Sequence, residues 1–393
     1  GLIVAHCAGG KNFRIIMAAK TVVVFSGSLC YIYILYSYFR EEQSPVMDIV
    51  VLAGGLSPER NVSLVSGRCI CHALRSLGHR AVMVDLFLGL EGDGKDLFDA
   101  PEAPDGDQAV QAEAPDLEAV RRSRGDASRS LLGPGVLEAC TRADAVFLGL
   151  HGECGEDGRI QAALDLLGVR YTGAGHLSSA MAMNKAVTKR MMEQAGILTA
   201  PWRELTYAQA DIPRLAAELP VPCAVKSVNG GSSLGMALPD TREELEKALR
   251  ELLRYGGHVI VEQKIQGRDI TVGVLGDRYL PAVEMIPQPG AYFDYTAKYQ
   301  QGGSQEVCPA EITEEQWRTM GEATLKLHRA LGLTVYSRAD FILDGEGRAW
   351  CLEINSLPGM TPGSLLPKEA AAVGIAYPEL CQEILNLSLK REA

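Results

Sequence analysis

Apolar and polar positions follow two different patterns along the chain, and the first covers the region that begins at Met47. Residues 47–55 form a short apolar run ending in glycines, and residues 80–86 form a second apolar run. Between them apolar residues recur at the spacing of one helical face, which closes on Gly78; these residues are Val62, Val65, Cys69, Ala73 and Leu77. Strand, helix and strand in this order predict a βαβ unit and a parallel sheet. Residues 143–152 and 159–169 extend the sheet with another strand and helix.

The second pattern follows residue 202 and is typical of antiparallel α+β structure. Residues 223–238 predict two strands joined by a loop rich in glycine and serine. Residues 241–256 predict an amphipathic helix, with Glu and Lys or Arg at favourable spacings. Residues 258–286 contain three strand-like runs separated by turns at Gln266–Gly267 and Gly276–Asp277. The chain is therefore expected to combine an α/β domain with α+β structure.

The first 46 residues do not fit either pattern. Thr21–Phe39 is a 19-residue stretch without a charge, which meets the lower length requirement for a membrane span. Lysine and arginine precede it, as they would a signal or an anchor, but no convincing cleavage site follows. We interpret residues 1–46 as an over-extended start rather than a membrane anchor, and no membrane association is expected for the region from Met47.

Composition and charge narrow the classes of function. The chain has 393 residues, 47% hydrophobic and 22% charged, which fits a globular protein of two or three domains. Its net charge of -11 argues against a nucleic-acid partner. Ten cysteines occur without a CxxC pair, so buried thiols in a reducing cytoplasm are expected rather than a zinc site or disulfides. Residues 91–130 are acidic and rich in Ala, Gly and Pro, and we interpret them as an exposed insertion.

Two strand-like runs near the C-terminus carry oxygen ligands. Successive side chains of a strand point to opposite faces, so Arg338 and Asp340 share one face, and Glu353 and Asn355 share another. If the two strands are neighbours, their carboxylate and amide oxygens form a site for a hard cation. Such a site typically holds Mg²⁺ against the phosphates of a nucleotide.

Three other stretches contain candidate binding residues, each with an ordinary structural alternative. The loop Asn229–Gly235 carries many backbone N–H groups beside Lys226 and could cover phosphates, or it could be a plain hairpin loop. Lys185 could be a surface lysine, and Glu262 lies at a strand end where it could bind an adenine or ribose. Residues 291–305 are polar, aromatic and irregular, which suggests a lid.

Residues 151–161 gather polar side chains just after a predicted parallel strand, where open α/β sheets bind ligands. His151 could belong either to a site or to the scaffold. Glu156 and Asp157 are expected to be mainly structural, as acidic residues favoured in the first turn of a helix.

Seven stretches, in this order, resemble the D-alanine–D-alanine ligase family of the ATP-grasp superfamily: "LAGGLSPERNVSLVSG", "HGECGEDGRIQ", "YTGAG", "KSVNGGSSLGM", "FDYTAKY", "RADFILD" and "EINSLPGMTPGSLLP". The resemblance implies an N-terminal parallel α/β (pre-ATP-grasp) domain followed by a two-domain ATP-grasp fold. The expected boundaries are 47–172 for the N-terminal substrate domain, 173–262 for the central domain and 263–393 for the C-terminal catalytic domain.

The resemblance also implies a reaction. ATP would phosphorylate the carboxylate of one D-alanine, and the amine of a second would attack the acyl phosphate, yielding D-alanyl-D-alanine for peptidoglycan synthesis. Two Mg²⁺ or Mn²⁺ ions, a homodimer and a cytoplasmic location are implied as well. Ligases that use D-lactate or D-serine, other ATP-grasp ligases and an inactive ATP-binding scaffold are the alternatives.

Residue roles follow from the same resemblance. Metal ligands are Asp340, Glu353 and Asn355. Contacts to ATP are Lys185, Lys226, Ser233, Glu262, Ile265, Asp269 and Lys298. Catalytic residues are Glu59, Ser232, Tyr299, Arg338 and Gly359, of which the last two would supply oxyanion donors. Substrate contacts are Glu59 for the first ammonium group, Ser364 for the second carboxylate, and His151 and Leu365. The presence of Tyr299 favours an amine over a hydroxyl as the acceptor.

Overall fold

A computed structural model describes residues 2–6, 12–18, 21–26, 29–33, 45–90, 97–99, 115–125, 128–230, 235–287 and 304–390. The chain divides into two units, residues 1–46 and 47–393. The predicted ligands Ser232, Ser233, Lys298 and Tyr299 lie outside the described residues, as does most of the acidic insertion.

The first unit contains one antiparallel sheet. Its strands are β1 (Leu2–His6), β2 (Asn12–Ala18), β3 (Thr21–Ser26) and β4 (Leu29–Tyr33), paired in chain order. Strands β3 and β4 lie within the uncharged stretch that met the length requirement for a membrane span, so this stretch is not one continuous helix. Across the residues described in either unit, no helix is both long and apolar enough to cross a membrane.

The second unit begins with the predicted βαβ unit. Strand β5 (Asp48–Ala53) leads through helix α1 (Arg60–Ser76) into β6 (Arg80–Asp85), and β5 pairs in parallel with both β6 and β7 (Ala145–Leu148). The parallel sheet is thus confirmed. Leu77 is an exception to the predicted apolar face: α1 ends at Ser76, and Leu77 is 43% exposed. The helices that follow in the chain are α2 (Leu117–Ser123), α3 (Val136–Arg142), α4 (Arg159–Leu166), α5 (His176–Met183) and α6 (Lys185–Gln194).

An antiparallel sheet follows, as the second sequence pattern predicted. Its strands are β8 (Trp202–Thr206), β9 (Cys223–Ser227), β10 (Met236–Ala237) and β11 (His258–Gln263), in the order β10-β9-β11-β8. Helices α7 (Ile212–Glu218) and α8 (Arg242–Leu252) pack together, and their apolar residues form one core with the sheet. The amphipathic helix predicted over residues 241–256 is α8, which Thr241 caps by accepting a hydrogen bond from the Glu244 N–H.

The third sheet is also antiparallel and carries the C-terminal motifs. Its strands run in the order β15-β14-β12-β16-β17, with β13 paired to β12; they are β12 (Arg268–Leu275), β13 (Arg278–Tyr279), β14 (Val283–Pro287), β15 (Ser304–Val307), β16 (Tyr336–Leu343) and β17 (Ala349–Asn355). The remaining helices are α9 (Glu314–Ala330), α10 (Leu365–Ala372) and α11 (Tyr377–Leu389).

Elements that are distant in sequence pack together in the second unit. Helix α11 packs on α1, and residues of α10 and α11 share one apolar core with the parallel sheet. A second core joins α9 to the third sheet. In the described part of the chain eight cysteines are thiols outside any disulfide, and all except Cys308 are buried, as the sequence predicted.

Candidate active site

The strands that carry the predicted metal ligands are neighbours, and their polar side chains meet. Strands β16 and β17 pair antiparallel, so that Asp340 lies opposite Glu353 and Arg338 lies opposite Asn355. These four side chains are half-buried, whereas residues between them, such as Ala339, point into the core. The alternation of a pleated strand therefore places all four on one face of the sheet.

The guanidinium of Arg338 is fixed by the carboxylate beside it. Its Nε and Nη2 donate to the two oxygens of Asp340 at 2.9 and 3.0 Å, and the Thr271 hydroxyl donates to Asp340 Oδ1 at 2.9 Å. The fork geometry holds Arg338 in a defined orientation while Asp340 keeps lone pairs for a cation.

The amide of Asn355 links this face to the loop that follows β7. Its hydrogen-bonding neighbours favour the orientation in which the nitrogen donates to Glu156 Oε2 and the oxygen accepts from Arg338 Nη2, each at 3.2 Å. Glu156 also accepts a hydrogen bond from the Gly152 N–H at 3.0 Å. Glu156 therefore lies in the site. The sequence had instead suggested that Glu156 is mainly a structural residue.

Burial and crowding change the chemistry of Glu156. Burial, followed by the charge of the nearby Glu59, raises the pKa of Glu156 to about 8. The sequence could not show this, because the approach of Glu59 depends on the packing of α1 against the loop after β7. The carboxylate of Asp157 accepts from the Cys154 N–H and from the Arg159 N–H at the start of α4, so it has the structural role that was predicted. It does not lie in the first helical turn, however, because α4 begins at Arg159.

Glu59 lies at the N-terminal end of α1 and is 6% exposed. A Cβ added at Gly152 would come within 2.5 Å of Glu59 Oε2, and the φ of Gly152 is +72°. The close approach therefore requires glycine. Ser57 joins the two segments, because its hydroxyl donates to the carbonyl of His151 at 2.8 Å.

His151 is buried and contacts both α1 and the segment after β17. Its Nε2 lies 2.9 Å from the Ser66 hydroxyl, and its ring also hydrogen-bonds the backbone of Leu357. Burial lowers the pKa of His151 to about 4, so the ring is neutral at pH 7. His151 thus links α1 to the segment that leads to Gly359.

Gly359 and Ser364 lie side by side before α10. Ser364 Oγ would be 2.9 Å from a Cβ at Gly359, and it accepts a hydrogen bond from the Thr361 N–H at 3.1 Å. Leu365 begins α10 directly after Ser364. The predicted second-substrate contacts are therefore next to the predicted oxyanion donor.

The predicted phosphate-binding lysines approach the same face from the central sheet and α6. Lys185 Nζ donates to the carbonyl of Gly230 at 2.5 Å and lies 3.5 Å from Glu353 Oε2. Its side chain is only 15% exposed, so Lys185 is not an ordinary surface lysine. Lys226 is buried and forms an ion pair with Glu262.

Glu262 sits between two lysines. Lys189, which the sequence did not single out, contacts Glu262 Oε2 at 2.5 Å, and Lys226 contacts Oε1. Burial alone would raise the pKa of Glu262, but the charges of Lys226 and Lys189 outweigh burial and lower it. The other predicted nucleotide contacts, Ile265 and Asp269, are partly exposed and lie after β11 and at the start of β12.

Three residues, Asp340, Glu353 and Asn355, offer oxygen ligands for a metal ion. Among the residues that the structure describes, no group of three or more His, Cys, Asp and Glu side chains is placed to hold a metal. Asp340 and Glu353 supply two carboxylates and Asn355 an amide. Mg²⁺ characteristically takes one or two protein carboxylates and completes its shell with water and phosphate oxygens. The donor set therefore fits Mg²⁺ that binds together with a nucleotide.

Comparisons with known proteins agree with this geometry. A family model described as D-ala D-ala ligase N-terminus matches residues 48–174, and one described as D-ala D-ala ligase C-terminus matches residues 191–386. The D-alanine–D-alanine ligase of Pediococcus pentosaceus is 41% identical over 344 residues, covering 86% of this chain and 97% of the relative. That of Nitratidesulfovibrio vulgaris (strain DP4) is 39% identical over 347 residues, covering 87% and 98%.

Solved structures are similar over the same region. The D-alanine–D-alanine ligase of Bacillus anthracis complexed with ATP is 29% identical with a TM-score of 0.63, covering 88% of this chain and 98% of that one. The enzyme of Coxiella burnetii is 25% identical with a TM-score of 0.67, covering 88% and 95%. The two family models and these relatives together span most of the chain, and the protein belongs to the D-alanine–D-alanine ligase family.

Proposed function

We propose that this protein ligates two D-alanines to D-alanyl-D-alanine with cleavage of ATP to ADP and phosphate, for peptidoglycan precursor synthesis. One observation carries the proposal: Arg338, Asp340, Glu353 and Asn355 converge on one sheet face within reach of Lys185. This face offers metal ligands and fixed cations together, which phosphoryl transfer requires. Relatives named D-alanine–D-alanine ligase match this chain over nearly the whole of their own length.

In the proposed reaction a carboxylate oxygen of the first D-alanine attacks the γ-phosphorus of ATP, and the bond to the ADP oxygen breaks. The amine of the second D-alanine then attacks the acyl phosphate carbon. The tetrahedral intermediate loses a proton and expels phosphate, which leaves the new amide bond. Arg338 and the N–H of Gly359 would stabilise the oxyanion, because a guanidinium keeps its charge at any working pH.

Asp340, Glu353 and Asn355 would hold Mg²⁺ or Mn²⁺, with two ions expected. When bound, such ions neutralise negative charge on the phosphates and orient them. Thr271 would orient Asp340 through its hydroxyl, which lies 2.9 Å from Oδ1.

Substrate contacts are proposed from the same arrangement. Glu59 would receive the ammonium of the first D-alanine, while Ser364 and Leu365 would contact the second. His151 is proposed to position the substrate loop, since its neutral ring joins Ser66 to Leu357.

Nucleotide contacts are proposed as Lys185, Lys226, Glu262, Ile265 and Asp269. Ser233 and Lys298 would add phosphate contacts, and Ser232 and Tyr299 would complete a hydrogen-bonded trio with Glu59. These four residues lie outside the described ranges, and their roles stay predictions.

We further propose domains at residues 47–172, 173–262 and 263–393, a homodimer and a cytoplasmic location. The three sheets of the second unit support this division, since the parallel sheet, the central sheet and the third sheet follow one another in the chain. The homodimer and the location rest on the resemblance alone.

Phosphate release tests the proposed activity. The protein is incubated with ATP and Mg²⁺ and either D-alanine, L-alanine, or D-alanine with D-lactate, and products are identified by mass. Release with D-alanine alone, with a dipeptide as product, is expected. A depsipeptide as main product at neutral pH would instead indicate a D-lactate ligase, and no D-alanine-dependent release would contradict the proposal.

The Glu353→Gln variant tests the site. We expect turnover to fall by about 100-fold or more, because a neutral amide removes one of the two carboxylate charges that would hold the metal, while the free energy of unfolding changes by less than about 1 kcal/mol. Exposed Glu251 on α8 gives the matched control, Glu251→Gln. Normal turnover in Glu353→Gln would show that Glu353 does not hold the metal.

A further inference from the structure

One lysine outside the predicted site is fully buried. Lys189 lies on α6, about one helical turn after Lys185, and is 0% exposed. Its Nζ donates to the Thr199 hydroxyl at 2.6 Å and lies 2.5 Å from Glu262 Oε2. Thr199 in turn donates to the carbonyl of Cys351 on β17 at 2.8 Å. These contacts tie Lys189 of α6 to Glu262 of β11 and, through Thr199, to Cys351 of β17.

Glu262 has a different cation on each oxygen. Lys189 contacts Oε2, Lys226 contacts Oε1, and the Glu262 side chain is only 2% exposed. Two buried cations therefore share one buried anion. This is one more positive charge than Glu262 needs for its own neutralisation.

The two lysines differ in what else surrounds them. Lys226 lies on β9 and is close enough to two proposed metal ligands, Glu353 and Asp340, for their charges to raise its pKa in addition to Glu262. Lys189 has Thr199 and Glu262 as its polar neighbours and lies behind Glu262. A nucleotide phosphate can compete for Lys226, whereas Lys189 is fixed behind the carboxylate.

If Lys226 were the sole partner of Glu262, its movement from Glu262 to a phosphate would be unfavourable. A buried carboxylate left without a cation is strongly destabilised, because the low-dielectric interior cannot replace its hydration. With Lys189 in place, Glu262 keeps a counter-ion when Lys226 turns away.

We propose that Lys189 is a positioning residue for nucleotide binding: as the fixed partner of Glu262, it frees Lys226 to bind the phosphates of the nucleotide. The inference rests on the proposed function, because it assumes that the protein binds ATP. It predicts that loss of Lys189 weakens phosphate binding specifically, since Lys226 is then held by Glu262.

Affinities for ADP with Mg²⁺ and for adenosine, measured by isothermal titration calorimetry, test this inference. In Lys189→Met we expect the ADP affinity to fall by about 10- to 100-fold, the loss of one charge-assisted hydrogen bond. Adenosine affinity should change by less than about threefold, because adenosine has no phosphate to recruit Lys226. Exposed Lys247 on α8 supplies the control, Lys247→Met, which should bind both ligands normally.

A second background separates positioning from simple loss of structure. A neutral amide at position 262 needs no cation, so Glu262→Gln leaves Lys226 unrestrained whether or not Lys189 is present. Adding Lys189→Met to Glu262→Gln should therefore change ADP affinity by less than about threefold. This double variant also removes both members of a buried ion pair, so it carries the test if Lys189→Met alone does not fold.

Several results would overturn the inference. These are an equal loss of ADP and adenosine affinity in Lys189→Met, an unchanged ADP affinity, or the same ADP loss in the Glu262→Gln background. Failure of the wild-type protein to bind ADP would instead refute the proposed function, so the two failures are distinguishable.

Discussion

The carboxyl group of Glu369 should make the stability of this protein fall as the pH rises. Glu369 lies on α10 and is 0% exposed. Burial raises its pKa well above the usual range; the charge of Arg338 and the Gly273 backbone N–H oppose this shift without cancelling it. The group is therefore protonated in the folded protein at pH values where it is ionised in the unfolded chain.

The sign and size of the effect follow from proton linkage. Folding takes up one proton at any pH between the ordinary carboxyl pKa and the raised one, so stability is greatest below the ordinary value and falls above it. The slope is about 1.4 kcal/mol for each pH unit. Above the ordinary carboxyl pKa, Glu369 should thus lower the free energy of unfolding with each rise in pH, until the pH reaches the raised pKa of the folded protein.

Replacement by glutamine keeps the shape of the side chain and removes its titration. Urea unfolding of the wild type and of Glu369→Gln, measured at several pH values from 5.5 to 7.0, should show the variant gaining on the wild type as the pH rises, by at most about 1.4 kcal/mol for each pH unit. The absolute difference at one pH also contains the cost of burying an amide, so the slope is the decisive quantity.

The exposed Glu251→Gln variant serves as the control and should run parallel to the wild type. Parallel curves for Glu369→Gln and the wild type would refute the reasoning, because they would mean that Glu369 titrates alike in the folded and unfolded chains.

Two more predictions concern residues of β12 that contact Glu369 or Asp340. Gly273→Ala should lower the free energy of unfolding by about 1–3 kcal/mol, because the new Cβ would lie 2.1 Å from Glu369 Oε2; a variant as stable as the wild type in urea would contradict this overlap. Thr271→Val should raise the Mg²⁺ concentration needed for half-maximal phosphate release by about tenfold, because Asp340 loses the hydroxyl that orients it. Thr324→Val, a buried threonine that hydrogen-bonds within α9, is its control and should leave the Mg²⁺ requirement unchanged.

The sequence predicts those parts of the fold that depend on local periodicity. The change from short apolar runs to a helical spacing was sufficient for the β5–α1–β6 unit. Strand alternation was sufficient to place Asp340 on the face of Arg338, and Glu353 on the face of Asn355. The pairing that sets Asp340 opposite Glu353 is known only from the structure. Glu156 and Lys189 were missed because their roles arise from tertiary packing. Glu156 becomes a site residue only when α1 brings Glu59 beside it.

Ion-pair partners could not be predicted for the same reason. Lys189, Lys226 and Glu262 lie on three different elements, and only the assembled sheet and helix show that both lysines share one carboxylate. The predicted close of α1 at Gly78 is confirmed, since Gly78 follows the C-cap Leu77 with a φ of +93°. The helical spacing nevertheless assigned Leu77 to the buried face, although it is 43% exposed.

The fate of the carboxylate oxygens of D-alanine tests the central claim most directly. The protein is incubated with ATP, Mg²⁺ and D-alanine labelled with ¹⁸O in its carboxylate, and the dipeptide and the phosphate are analysed by mass spectrometry. Ligation through an acyl phosphate predicts D-alanyl-D-alanine together with phosphate that carries one ¹⁸O atom. Unlabelled phosphate, or ATP hydrolysis without a dipeptide, would contradict the activity proposed for this site.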